Sequence, residues 1–218
     1  VPPGTCRLQP PDGLSRASAT VDVALAAGEA TADILVELKG LAVQASQEGL
    51  DQSSRDALNS AFNSLREQVT TINDSASFAG SNLIAAGASD QNVLSDDSGA
   101  TIKVAAQDLS SGGLGLGGQT LDNAGNAASA LTALDAAITD ASGKLANLGS
   151  SANRIETHNE YLGVQNDTIA AGVGNLVDAD LAADSAALKS SEIKQALGAI
   201  SLGIANSSPA RILSLFDG

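Results

Sequence analysis

The side chains with the greatest capacity for chemistry are scarce in this sequence. His158 is the only histidine and Cys6 the only cysteine among 218 residues. An imidazole or a thiolate becomes a nucleophile, a base or a zinc ligand only beside suitable partners, and His158 has none at metal-ligand spacing. We therefore expect His158 at the surface, near the end of a helix. No catalytic residue, metal site or cofactor is predicted, so the protein is not predicted to be an enzyme.

Two other runs contain residue types that ligand sites use. Asp178, Asp180 and Asp184 resemble part of a calcium loop, but such a loop needs oxygens at alternating positions and Ala182 interrupts that pattern. We interpret these acids as groups that favour the dipole in the first turns of a helix. The run GGLGLGG at residues 112–118 lacks the spacing and the Lys-Ser/Thr ending of a phosphate-binding loop. It is predicted to be a flexible turn.

The charge balance limits the class of partner. The chain has 25 Asp plus Glu against 11 Lys plus Arg, a formal net charge of -14, and the acids are scattered along it. Such a field repels phosphate backbones and anionic headgroups, so neither nucleic acid nor a membrane is a predicted partner. No run reaches the roughly 20 apolar residues that span a bilayer, and the start does not resemble a cleavable signal peptide.

Three periodic stretches predict the elements that position these side chains. Apolar residues alternate at spacings of three and four over about residues 18–48, 54–74 and 125–165, which is the pattern of helices that pack along a seam. Only 2% of the residues are aromatic while 43% are apolar, and small aliphatic side chains suit closely spaced helices. The predicted bundle seam consists of Ile34, Leu38, Leu41, Leu58, Phe62, Leu65, Val69, Leu134, Ile138, Leu145, Leu148 and Ile155.

Local signals set the limits of these elements. Gly49 is the predicted C-cap of the first helix, and Ser53 followed by Asp56 resembles the capping box that begins the second. Residues 76–122 lose helical periodicity, and Thr101–Val104 reads as a short strand of a β-hairpin. The predicted fold is mainly α: an elongated antiparallel coiled-coil helical bundle with a small β-hairpin, followed by a long C-terminal helix.

The chain divides into three predicted parts. Residues 1–16 contain four of the five prolines and are expected to form an irregular arm. Residues 17–171 form the bundle, and Gly172 and Gly174 are predicted to be a hinge before the last segment, 172–218. That segment places apolar residues near one face, which we expect to pack against other copies; an intramolecular cap on the bundle is the alternative. The predicted contact residues are Leu181, Leu188, Ile193, Leu197, Ile200, Ile204, Ile212, Leu213, Leu215 and Phe216.

Several of these runs resemble bacterial flagellin. The C-terminus of that family is similar to NLVDADL at 175–181, LGIAN at 202–206, Pro209 and ILSLF at 212–216. The core of the family is similar to LAVQASQEG at 41–49, with SRDAL at 54–58 and FAGSNL at 78–83. Residues 1–16 do not resemble the family, and the helical segment that opens a flagellin has no counterpart before Ala17. The chain most resembles short alpha-proteobacterial flagellins without outer insert domains.

The resemblance implies a function and partners. It implies a secreted structural subunit of the bacterial flagellar filament, needed for motility, that self-assembles through coiled-coil packing of its terminal helices. Implied partners are copies of itself or other flagellins, a flagellar export chaperone, and the cap and hook-junction proteins. The implied route out of the cell is the flagellar type III apparatus. A flagellin-like surface or junction protein that binds a ligand or partner without polymerising is the alternative; an enzyme would need a larger middle insertion.

Overall fold

The computed structural model describes residues 12–95 and 99–213, with side chains up to residue 206. In these ranges the protein consists of α1 (Asp12–Ala45), α2 (Gln52–Ser75), β1 (Ser77–Phe78), β2 (Ser81–Asn82), β3 (Gln91–Leu94), β4 (Thr101–Val104) and α3 (Ala124–Leu213). A mainly α bundle with a small antiparallel hairpin and a long C-terminal helix is confirmed.

Helix α1 begins earlier and ends earlier than its sequence pattern predicted. It begins at Asp12, so residues 12–16 are helical and not part of an irregular arm, and Leu14 is fully buried. Four of the five prolines precede Asp12, where they cannot interrupt α1. The helix ends at Ala45, and Gly49 lies beyond it with φ +92°. Glycine adopts this left-handed conformation without strain, so Gly49 serves the link to α2 and is not the direct cap.

Arg55 joins the end of α1 to the start of α2. Its side chain is only 6% exposed; Nη1 donates to the carbonyl of Ala45, and Nη2 donates to that of Gln47 at 3.4 Å. A cation at the C-terminus of a helix satisfies carbonyls that have no partner in the helix and interacts favourably with its dipole. This contact fixes the turn between two helices that pack against each other.

The N-cap of α2 is Asp51, so the predicted capping box at Ser53 and Asp56 is wrong. The Asp51 carboxylate accepts from the Ser54 amide at 2.9 Å, and from the hydroxyls of Ser53 at 2.5 Å and Ser54 at 2.7 Å. Asp56 instead accepts from Gln52 Nε2 at 2.8 Å. These donors, with the Ser53 hydroxyl as the largest contribution, hold the pKa of Asp51 well below its ordinary value of 3.8.

The cap makes a testable contribution to stability. Asp51→Ala is expected to remove the acceptor of the Ser54 amide and to fray the first turn of α2. Because the folded-state pKa of Asp51 is lowered, its contribution is present above pH 3.8 and is lost as pH falls through the folded-state value. Asp51→Asn keeps a capping oxygen that does not titrate. Thermal melts from neutral pH to about pH 2 should therefore show weaker acid destabilisation in Asp51→Asn; equal acid sensitivity in both chains would contradict this role.

The core lies where α1, α2 and the first part of α3 meet. Among the predicted seam residues, Ile34, Leu38, Phe62, Val69, Leu134, Leu148 and Ile155 are buried. Those that are half-buried against the same core are Leu41, Leu58, Leu65, Ile138 and Leu145. Many further core residues are alanines, which permit close helix packing.

Two contacts establish the direction of α3 along α1. A Cβ at Gly28 would lie 2.5 Å from Leu145 Cδ2, so the Leu145 side chain of α3 packs directly over Gly28 of α1. Nearer the end of α1, Lys39 Nζ lies 2.6 Å from Asp135 Oδ1. Because the later residue of α1 meets the earlier residue of α3, the two helices run antiparallel, as predicted.

The middle region contains two hairpins. The predicted strand Thr101–Val104 is present as β4, and it pairs antiparallel with β3 in a register that places Val93 opposite Ile102. Both side chains are buried. The smaller hairpin, β1 with β2, turns through Ala79 (φ 50°) and Gly80 (φ 82°).

Residues 105–122, which we call the strap, connect β4 to α3 without regular secondary structure. From α2, Arg66 Nη1 donates to the carbonyls of Leu116 at 3.3 Å, Gly117 at 3.2 Å and Gln119 at 3.0 Å. The Leu116 carbonyl also accepts from the Gln119 amide at 3.2 Å. Gly117 and Gln119 lie outside any strand or helix, and Arg66 satisfies their carbonyls. Arg66 therefore fixes the glycine-rich run 112–118, which was expected to be flexible.

Further side chains hold the strap from both sides. Asn73 Nδ2 of α2 donates to the Leu109 carbonyl at 2.9 Å. From α3, Lys144 Nζ donates to the Asp108 carbonyl at 2.7 Å and forms an ion pair with Asp140 at 2.7 Å. Apolar strap residues fill the core between these anchors: Leu109, Leu114, Leu116 and Leu121 are buried.

Removal of the Arg66 guanidinium tests whether this side chain anchors the strap. Arg66→Met retains most of the aliphatic stem but removes the side-chain donor of the Gly117 and Gln119 carbonyls, and hydrogen bonds to charged groups contribute about 1.5–3 kcal/mol. We expect a loss of unfolding free energy of that order in urea titrations, with faster amide exchange in residues 105–122. Arg16→Met, at an exposed position of α1, is the matched control. Unchanged exchange in the strap of Arg66→Met would exclude this anchor.

Helix α3 continues through the expected hinge. It runs without interruption from Ala124 to Leu213, so Gly172 and Gly174 are helical and the predicted turn is absent. A helical glycine costs only about 1 kcal/mol relative to alanine, and neighbouring helix formers offset it. The described residues instead divide into two compact units between Gly163 and Val164, earlier than the predicted boundary at 171.

Candidate assembly surfaces

The C-terminal part of α3 presents a series of exposed aliphatic side chains, which we call the apolar stripe. Exposed fractions range from 56% at Ile193 to 65% at Leu188 and Ile204. The stripe consists of the predicted contact residues Leu181, Leu188, Ile193, Leu197, Ile200 and Ile204. Of the other predicted contacts, the side chains of Ile212 and Leu213 and the whole of Leu215 and Phe216 lie outside the described residues. Exposed apolar surface of this extent is typical of an interaction site.

The second half of the stripe has the spacing of a coiled-coil seam. Ile193, Leu197, Ile200 and Ile204 follow one another at intervals of 4, 3 and 4, which brings them to one side of a helix. The only ion pair described on this part of α3 joins Lys189 and Glu192 at 3.7 Å with both side chains largely exposed. Exposed pairs of this kind contribute little, so the apolar residues dominate the energetics of the surface.

A second surface lies beside β4, in an open groove of about 990 Å³ that we call the α3 groove. It is lined by Ile102, Ala146, Gly149, Arg154, His158 and Tyr161, among others. The Tyr161 side chain is 58% exposed, and Arg154 is exposed as well. Sequence reasoning did not single out Arg154 or Tyr161, because neither falls on the apolar period of its helix.

His158 is half-buried and not freely exposed, which corrects the expected surface position. Its Nε2 lies 2.8 Å from the carbonyl of Ser95, just after β3, and its ring centroid lies 5.9 Å from that of Tyr161. The Nε2–H group donates to this carbonyl, so the imidazole joins the β3–β4 hairpin to α3. Within the described ranges no group of His, Cys, Asp and Glu has the arrangement of a metal site.

The three aspartates that resembled a calcium loop lie in the middle of α3. Asp178, Asp180 and Asp184 are all exposed, and the helix begins far earlier, at Ala124. The prediction that they occupy the first turns of a helix is therefore wrong. Their carboxylates are solvated groups on the helix surface.

No helix in the described ranges is both long enough and apolar enough to cross a membrane. For α3 the reason is visible in the sequence, since charged and amide residues interrupt its aliphatic ones throughout.

These features define a class of protein. A helical bundle held by small aliphatic residues, with an apolar stripe exposed on a long helix, has the features of a structural subunit.

Comparison with known proteins identifies the family. Residues 11–89 match the family model of the bacterial flagellin N-terminal helical region, and residues 131–216 match that of the C-terminal helical region. Flagellin FljM of Caulobacter vibrioides is 42% identical over 206 residues, which cover 94% of this chain and 76% of the relative. Flagellin FljO of the same organism is 43% identical over 208 residues, with the same coverage.

A solved structure agrees with this assignment. The crystal structure of Bacillus cereus flagellin superposes with a TM-score of 0.62 at 25% identity, covering 68% of this chain and 86% of that one. The chain therefore belongs to the bacterial flagellin family. It is a structural subunit of the extracellular flagellar filament, in which it assembles with other flagellins.

The match also corrects the predicted extent of the resemblance. The N-terminal family model begins at residue 11, whereas the sequence comparison by motif began at Ala17. Residues 12–16 are also the first residues of α1. The family likeness and the helix thus begin almost together.

Proposed function

We propose that this subunit joins the filament by packing the apolar stripe of α3 against equivalent helices of neighbouring subunits. The observation that supports this proposal is the exposure of more than half of each stripe side chain. Burial of a leucine or isoleucine contributes about 1.5–3 kcal/mol. Several such residues per subunit provide enough favourable free energy to offset the entropy lost on association.

The proposed packing mode is a coiled coil. The 4, 3, 4 spacing from Ile193 to Ile204 allows each side chain to insert between residues of a facing helix. Glycine and alanine are frequent in the same stretch, and such small residues permit close approach of neighbouring helices.

In this proposal the bundle seam has a separate role. Residues such as Leu38, Phe62 and Leu134 hold α1, α2 and α3 together and do not contact neighbouring subunits. Changes in the seam are therefore expected to alter the stability of the monomer, whereas changes in the stripe are expected to alter assembly. This separation can be tested by mutation.

We further propose that the chain reaches the filament through the flagellar type III apparatus, with an export chaperone, the filament cap and the hook-junction proteins as partners. Membership of the flagellin family supports this route. Co-purification of the full chain with the chaperone of its own flagellar system, and loss of its secretion in a type III mutant, are the corresponding tests.

Assembly itself is tested by elongation of seeds. Short flagellin filaments are mixed with the purified full-length chain, and filament length is followed by electron microscopy while the unassembled fraction is measured by sedimentation. We expect the seeds to lengthen and the soluble fraction to fall. A chain that remains monomeric at every concentration and leaves the seeds unchanged would support the alternative, a flagellin-like protein that does not polymerise.

A further inference from the structure

The α3 groove combines residue types that are common at the centres of protein interfaces. Tyrosine and arginine are the side chains most enriched in interface hot spots. Tyr161 is the only tyrosine of a chain with three phenylalanines, yet it is 58% exposed. The described residues provide no ion pair for the nearby Arg154. The groove therefore offers an aromatic anchor and a positive charge to a partner with acidic and apolar groups.

The outward side of α1 has the complementary composition. Asp22, Glu29, Asp33 and Glu37 follow one another at spacings of 7, 4 and 4, which places them on one side of the helix; we call them the acidic face of α1. All four are exposed, and none forms an ion pair with a described residue. Val36 beside them is 59% exposed, so the face also presents an apolar side chain.

We propose that the acidic face of α1 in one subunit docks in the α3 groove of the next, with Arg154 as its ionic contact and Tyr161 packed beside Val36. The two surfaces are complementary in charge and similar in length. From Ala146 to Tyr161, and from Asp22 to Glu37, each surface covers about 22 Å of helix. This proposal rests on the proposed assembly function and adds a second contact between subunits.

The two surfaces are different, and this determines the kind of assembly. A contact between unlike surfaces is heterologous: each subunit has one of each, so binding leaves a free surface at both ends. Such contacts extend without closing unless the geometry forms a ring, which suits a filament. A strongly acidic chain also needs an attractive charge contact to oppose repulsion between its copies.

Charge reversal tests the contact in the full-length chain. Arg154→Glu places a carboxylate opposite the acidic face, and we expect the rate of seed elongation to fall about tenfold or more. Arg16→Glu makes the same change at an exposed position outside both surfaces and should elongate at the unaltered rate. Circular dichroism should show the same helix content and melting temperature in all variants.

Reversal of the partner should restore assembly. Glu29→Arg, Asp33→Arg and Glu37→Arg are each combined with Arg154→Glu in one chain, and we expect at least one combination to regain most of the lost rate. If the unaltered chain elongates seeds but Arg154→Glu elongates them equally well, or if no α1 reversal restores the rate, this contact is excluded and the stripe proposal stands. If the unaltered chain does not elongate seeds, both proposals fall.

Discussion

Chains carrying Ile200→Asp or Leu188→Asp should remain monomers under conditions in which the unaltered chain elongates flagellin seeds. Both side chains are exposed, at 60% and 65%, so a carboxylate at either position is solvated in the monomer. In the proposed helix packing the same carboxylate would be buried without a partner, which costs about 3–5 kcal/mol. An equilibrium constant for subunit addition lower by at least about 100-fold is the expected result.

The matched control for Ile200→Asp is Ser191→Asp. Ser191 is exposed on the same part of α3, but it lies about half a turn around the helix from Ile200. It introduces the same charge on the side away from the seam, so elongation should be nearly unchanged. The bundle should melt at the same temperature in all three variants. Normal polymerisation of Ile200→Asp would remove that residue from the interface, and equal inhibition by Ser191→Asp would attribute the effect to charge alone.

Phe62→Ala should produce the largest loss of stability of any single substitution described here. Phe62 is fully buried in α2 and is one of the largest side chains in the core. Truncation of a buried phenylalanine to alanine costs about 3–5 kcal/mol, from lost burial and from the cavity that remains. Because domains of this kind are stable by only about 5–15 kcal/mol, we expect a large shift of the urea midpoint and a partly unfolded population at elevated temperature.

Phe78→Ala provides the same chemical change at a different depth. Phe78 lies in β1 and is 39% exposed, so its truncation leaves no closed cavity and should cost much less. Urea titrations of the two variants and the unaltered chain give the comparison directly. Equal losses at the two positions, or a loss below about 1 kcal/mol for Phe62→Ala, would show that the α2 seam does not depend on this ring.

Much of the fold was predictable because heptad spacing reports directly on burial. Leu38, Phe62 and Leu134 recur on one side of their helices, and all three are buried. Heptad spacing does not predict the burial of residues outside helices. Leu109 and Leu116 of the strap are equally buried, but their positions depend on Arg66 and Lys144, which lie far away in the sequence.

Helix limits were less predictable, for local reasons. Asp51 and Ser53 both have side chains that cap helices, and only the geometry of the preceding link favours the carboxylate. Gly172 and Gly174 suggested a turn, yet their helical cost is small and α3 continues through them.

Of the two candidate surfaces, the apolar stripe was predictable from the sequence and the α3 groove was not. Stripe residues such as Ile200 are regularly spaced in the sequence and are exposed in the structure. The α3 groove depends on the placement of Ile102 beside a helix from a later part of the chain, which periodicity does not report.

The antiparallel arrangement of α1 and α3 also affects how the protein folds. Gly28 meets Leu145 and Lys39 meets Asp135, so closing the core requires a long loop, which slows folding. In a chain that emerges amino-terminus first, the apolar sides of α1 and α2 that face α3 stay uncovered until α3 follows. The native core therefore cannot close until residues of α3 such as Leu134 and Leu145 are present, and a chain that still lacks them keeps α1 and α2 only partly packed.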